Sequence, residues 1–553
     1  MAKRTRFYLP GEPLLHPDHR RPVSRREFIA QGFRAGTASV IGLSTASLLA
    51  ASRVNALDAN MDDYLTMTSC NLGAGIRKIP FICFDLAGGA NIAGSNVLVG
   101  GPGGQTDSLD TAGYSKLGLP PDILPDRPNP GSSSNNFINE QLGLKFHSES
   151  AMLRGILSRV GGALGNVDGA VIPARSDNDT GNNEHNPMYG IYQAGLRGGV
   201  LQLIGSNASI SGGNSMAYPG PDPITQLWID PEIRPTKIDR PSDASGLVDV
   251  GDLGKLLTKT SDIVSVMETI KRISDFKLSL VNTARTTPTN IDRKLRERVS
   301  CEYKRAAETF ETYPDASSVD PTKDPKIIGS GGNDPIFTSL ELSNTSSRAN
   351  REYQKTASVM KLVIDGLAGA GTITMGGYDY HTGDRSTGEA RDELAGECIG
   401  ACLAYAAAKG TPVMIYVCSD GSVFSNGTVE TVNNVPKGVW TGDNSSTAAS
   451  FFLVYDPYAR PTPLDQGAPD PRQIGWMRSD GSVETSATPA ADNVGGLVQT
   501  VILNYMALHG EENSATYNNL LGDRLGDPEA RKRYIAFTKL NSVQPDGSIL
   551  VKT

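Results

Sequence analysis

Short apolar runs that stop at glycines or acidic residues recur along this chain, and each reads as a buried strand running into a polar loop. The first is "KIPFICFDLAGG", and "NVDGAVIPA" follows a segment with helical spacing, "SAMLRGILSRVGGAL". The clearest passage comes later. A helix, "SSRANREYQKTASVMKLVIDGLAGA", leads into the strand "GTITM" and the loop "GGYDYHTGDRSTG". The helix "EARDELAGECIGACLAYAAAKG" comes next, then the strand "PVMIYVCSD", and "FFLVYD" and the helix "VGGLVQTVILNYMALHG" come afterwards. Alternating helices and strands predict an α/β fold, a largely parallel sheet flanked by helices. Polar loops after the strands would then lie where open α/β sheets bind ligands.

Between these elements the chain is dense in Gly, Pro, Asp and Ser. Loop-rich insertions are expected near 99–136, 205–245 and 313–345, and a helical pattern at three- and four-residue steps runs from about 252 to 312. No repeat of 20–50 residues is evident. The α/β domain is expected over 57–519, with 520–553 as a peripheral C-terminal segment. The 60 glycines and 34 prolines among 553 residues fit many loops and short elements, not a helical bundle.

The amino terminus has a different pattern. In "SRREFIAQGFRAGTASVIGLSTASLLAASRVNA" the pair Arg25–Arg26 precedes a weakly apolar run and a small-residue end at Ala56. This is the layout of a twin-arginine export signal over 1–56. It implies a periplasmic or secreted protein whose first partner is the twin-arginine export machinery. The run is short and rich in Gly, Ser and Thr, so no membrane span is expected in the mature chain, although an uncleaved signal could serve as an anchor. Removing 1–56 takes 9 of 52 basic and 3 of 60 acidic residues, leaving 43 and 57 and a formal charge of −14. With no basic cluster interleaved with aromatics, nucleic-acid binding is not expected. The six cysteines form no C-x-x-C pair, and Cys398 and Cys402, four apart on one helix face, read as packing residues.

Candidate chemistry gathers at the strand ends. In "GGYDYHTGD", Asp379 and His381 alternate, so both can point to one side, and a carboxylate with an imidazole suits zinc or manganese. Asp420 ends the next strand. Asp85 stands among Ile82, Phe84 and Leu86, where a carboxylate needs a partner or a place at the strand's solvent end. Ser95 is the best-placed hydroxyl nucleophile of the following loop, and His185 follows Asp177, Asp179 and Glu184. Each has a plainer alternative: a capping aspartate, a surface or loop histidine, a loop serine. The chain has no phosphate-binding G-K-[ST] loop, no G-x-S-x-G elbow and no H-E-x-x-H.

Taken together, "FDLAGGANIAGSN", "GGYDYHTGD", "VCSDGS" and "WTGDNSSTAAS" resemble, in that order, the motifs of an uncharacterised family of twin-arginine-exported bacterial proteins with the alkaline phosphatase-like (sulfatase-like) fold. The resemblance covers 80–100 and about 350–455. It implies a metal-dependent hydrolase acting on phosphate or sulfate esters as small-molecule substrates. One or two divalent ions (zinc, manganese or calcium) would be held by Asp379, His381 and Asp420, helped by Asp85, His185 or Asp443, while Ser95 or metal-bound water attacks the ester. Two departures stand out: Asn444 where the family has histidine, and Asn91, Ser95 and Asn96 where it has aspartates. They leave open a non-catalytic relative that serves as a binding or assembly component with an envelope protein partner.

Overall fold

The computed structural model describes residues 78–552, with breaks at 133, 177–184, 207–234, 331–333 and 466–468; between 249 and 315 it describes only scattered helical residues from 262 to 276. The export signal, Cys70, Cys301 and most of the 205–245 and 252–312 segments lie outside the described residues. The chain divides into two compact units, Ala74–Asp249 with Tyr313–Thr553 and Met1–Gly73 with Val250–Thr312. The first is described below.

Its centre is a mixed, mostly parallel seven-stranded sheet. The strands are β1 (Phe81–Ala87), β2 (Val167–Pro173), β3 (Leu201–Gly205), β4 (Thr236–Lys237), β5 (Ala368–Gly376), β6 (Val413–Cys418) and β7 (Ala449–Tyr455). They lie in the order β2-β7-β6-β1-β5-β3-β4. Strand β7 runs antiparallel to both neighbours, and the other described pairings are parallel. The carboxyl ends of β1, β2, β5 and β6 therefore share one edge with the amino end of β7, and their loops meet there.

Alternation along the strands builds two cores. Ile82, Phe84 and Leu86 pack on one face with helices α1 (Ala151–Arg159), α3 (Arg348–Ile364) and α4 (Ser386–Lys409). Phe81 and Cys83 pack on the other with α2 (Met188–Gln193) and α5 (Val494–Ala507). The result is a helix–sheet–helix sandwich in which β1 is covered on both sides, as its unbroken apolar run requires. Each fully buried Phe or Ile contributes roughly 1.5–3 kcal/mol. Ser150 and Ser347 cap α1 and α3 by accepting from Leu153 N and Asn350 N. Helix α4 lies so close to α1 that a Cβ on Gly396 or Gly400 would come within 2.0 or 2.4 Å of Met152 O or Ile156 O. Cys398 and Cys402 are fully buried on this helix, as their spacing suggests. Cys83 and Cys418 on adjacent strands are buried too, with Sγ atoms 3.9 Å apart in a thiol–thiol hydrogen bond and no disulfide between them.

Three segments carry more of the core than expected. The 99–136 segment, expected as a loop-rich insertion, buries Leu109, Tyr114, Leu117, Leu119, Ile123 and Leu124 in the first core. The 520–553 segment is not peripheral, because Leu521, Leu525, Ile535, Phe537, Leu540 and Val543 are buried in the second core. Phe537 meets Phe452 of β7 edge-on, with centroids 6.2 Å apart. The described parts of 313–345 behave likewise, with Val319, Ile327, Phe337 and Leu342 buried. Gly and Pro mark turns in these stretches, and the apolar residues between the turns still reach the core. Among the described residues no helix is long and apolar enough to cross a membrane.

Candidate functional site

The loops at the shared edge form one cleft and one buried network. The cleft, of about 200 Å³, is lined by Gly88, Ser176, Asp420, Gly421, Ser422, Asp443, Asn444 and Ser445. Each comes from a strand end or a loop beside one. Gly88 follows β1, Ser176 follows β2, Asp420–Ser422 follow β6, and Asp443–Ser445 precede β7. The turn after β1 is held by Ser419, whose Oγ donates to Leu86 O at 2.6 Å and accepts from Gly89 N and Ala90 N. Gly88 N donates to Asp420 Oδ1 at 2.6 Å. Gly88 has φ +124°, and a Cβ there would lie 2.6 Å from Asp379 N, so a side chain would push the β1 and β5 loops apart.

Asp420 and Asp443 thus share the cleft, Asn444 lines it with them, and Asp379 and His381 are not among its lining residues. Asn444 serves as a turn former: its Oδ1 accepts from Ser446 N at 2.6 Å and Thr447 N at 2.9 Å. Asp379 and His381 do point to one side, but toward each other and solvent. His381 Nε2 lies 2.6 Å from Asp379 Oδ1, with the side chains 34% and 62% exposed. Asp85 is fully buried on the face of Phe81 and Cys83 and accepts from Thr374 Oγ1 at 3.1 Å. His185 is buried, and its Nε2 lies 3.0 Å from Ser176 Oγ. Burial lowers its pKa to about 4, so the imidazole is neutral at pH 7.

Ser95 is not among the groups lining the cleft. It is 1% exposed and accepts from Arg385 Nη2 at 2.8 Å and from Asn91 Nδ2. The nucleophile expected there is instead a strut in a buried polar network, because the loop after β1 folds inward. Arg385 Nε donates to Glu389 Oε1 at 3.0 Å, and Lys437 Nζ to Glu389 Oε2 at 2.7 Å. The Arg385 guanidinium also stacks on Trp440, 4.3 Å from the ring centroid. Burial pushes the Glu389 carboxyl up, but the two cations outweigh it and hold it below its usual range. Lys437 is lowered to about 8 by burial, against the pull of Glu389. Beside them Tyr380 OH donates to Asp392 Oδ1 at 2.7 Å and accepts from Asn91 N at 2.7 Å. Asn96 Nδ2 donates to Asp392 Oδ2 at 2.7 Å. Burial raises Asp392 to about 7. This network was not expected from the sequence, though Arg385 and Glu389, four apart on a helix, are a pairing that spacing alone can suggest.

The groups proposed for a divalent ion do not converge as one ligand set. Among the described residues, no three or more His, Cys, Asp or Glu side chains are placed to hold a metal. Asp379 is occupied by His381, Asp420 Oδ1 by Gly88 N, and Asp85 by Thr374. Ligand distances of about 2.0–2.6 Å to one point would require rearrangement of these contacts.

Comparison of the chain with protein-family models, curated proteins and solved structures finds no match.

Proposed function

We propose that this chain is an exported protein of hydrolase-like α/β architecture that binds a small, polar, positively charged ligand in the cleft at the carboxyl edge of its sheet. One observation carries the reading: Asp420 and Asp443 line the same cleft, and the groups around them are hydroxyls, an amide and bare glycine backbone. Arg175, whose Nη2 donates to Ser445 Oγ at 3.1 Å, is committed to Asp492 through Nη1 at 2.9 Å. Two carboxylates with this surround attract a cation and repel the phosphate or sulfate group of an ester.

The reading is tested by thermal denaturation of the full chain with choline chloride or inorganic phosphate added. Choline should raise the melting temperature, the rise should vanish in Asp420→Asn/Asp443→Asn, and phosphate should have no effect. Stabilisation by phosphate without stabilisation by choline would overturn it.

A second reading, ester hydrolysis at a divalent ion, draws support from the place of Gly88. This residue bonds Asp420 and lies against Asp379, bringing the backbones of both strand-end loops together. It requires Asp379 and Asp420 to exchange their present partners for the ion.

A further inference from the structure

Ser176 follows β2 and His185 precedes α2, nine residues apart in sequence, and the two side chains meet beside the cleft. Ser176 Oγ and His185 Nε2 are 3.0 Å apart, the separation at which a hydroxyl proton passes to an imidazole. Ser176 is among the residues lining the cleft together with Asp420 and Ser422 and is 5% exposed, while His185 is 1% exposed and is not among the lining residues. The residue after the base is anchored by side-chain hydrogen bonds. That residue, Asn186, donates from Nδ2 to Thr372 Oγ1 at 2.8 Å, and its Oδ1 accepts from Met188 N at 3.0 Å, at the start of α2. The hydroxyl has a second acceptor in Ser419 O, a longer contact of 3.4 Å.

We infer that Ser176 and His185 are a nucleophile–base pair that cleaves a carboxylic ester bound in this cleft. Ser176 Oγ attacks the ester carbonyl and forms an Oγ–C bond while His185 Nε2 takes the hydroxyl proton. The C–O bond to the alcohol then breaks, and the alcohol leaves with the proton from His185. Water, deprotonated by the same nitrogen, attacks the acyl-serine, releases the carboxylic acid and returns the proton to Ser176. No metal takes part. Asp420 and Asp443 select an ester whose alcohol carries a cation, and in this respect the inference rests on the reading of the cleft given above.

The test treats the full chain with a neutral alkyl fluorophosphonate, which phosphonylates activated serines with loss of fluoride, and maps the adduct by peptide mass spectrometry. Wild type should be labelled at Ser176. Labelling should be absent in Ser176→Ala and at least about 100-fold slower in His185→Gln, the loss expected for a missing general base. Circular dichroism of Ser176→Ala should match wild type, which keeps the comparison valid even if His185→Gln fails to fold. A folded wild-type protein left unlabelled at Ser176, or a folded His185→Gln labelled at the wild-type rate, would overturn the inference. The probe is uncharged, so the outcomes separate. Labelling without choline binding overturns the charge reading alone, and choline binding without labelling overturns the nucleophile alone.

Discussion

Alternate residues of the loop after β5 lead opposite lives. Asp379 and His381 face out and pair with each other, while Tyr378 and Tyr380, which alternate with them, are 1% and 2% exposed. Tyr378 OH donates to Arg391 O, and Tyr380 ties the loop to Asp392 and Asn91. The outward pair attracts notice in the sequence because its side chains are familiar metal ligands. The inward pair holds the loop in place. A motif can thus resemble a catalytic one while its energetic weight lies on its inward residues.

The contrast breaks most sharply at the buried network. Arg385→Met removes the partner of Glu389 and Ser95 and leaves a buried carboxylate with one cation fewer. A loss of about 3–5 kcal/mol is expected, measured by urea denaturation. A loss under about 1 kcal/mol would show that the network does not hold the loop.

Acid should probe the same interior next. His147 and His185 are held neutral by burial at about 3 and 4, and His509 well below its usual value. The unfolded chain takes these three protons near pH 6.5 while the folded chain refuses them, so they withdraw stability as pH falls below that value. Asp392 works the other way. It takes its proton near pH 7 in the folded state, whereas the unfolded carboxyl waits until about pH 3.9, so it adds stability over that window. Three against one leaves a net loss of roughly 2–3 kcal/mol per pH unit between about pH 6 and pH 4. Urea midpoints at several pH values measure it, and a flat profile would contradict it.

The smallest effect belongs to the outward pair. His381→Ala should cost under about 1 kcal/mol, as exposed ion pairs do. Metal analysis of wild type and His381→Ala should show equal, negligible content. A stoichiometric ion lost in the variant would favour the metal reading instead.

The frame of the molecule was legible because strands buried on both sides spell themselves out. "FICFDLA", "VMIYVC" and "FFLVY" are short apolar runs bounded by turn residues, which is how strands buried on both faces read. Strand ends sharing an edge suggested a place for Asp420, whereas Asp443 entered only through the family resemblance. Burial inside glycine-rich stretches was not legible: residues such as Leu117 and Phe537 reach the core through turns with no period to read. Ser95 misled because a hydroxyl in a loop gives no sign of whether the loop folds inward. Ser176 was missed for the opposite reason. An ordinary serine just past a strand becomes notable once a histidine nine residues on is folded back against it.

The thiols of Cys83 and Cys418 lie side by side, sealed between neighbouring strands, and Cys398 and Cys402 are sealed within a helix packing face. A disulfide needs sulfurs about 2.05 Å apart and matching side-chain directions. None of the four is asked for one. The described fold therefore closes around these four thiols without needing a disulfide between them. For these four thiols oxidation is neither a folding tool nor a threat, provided the sheet stays closed.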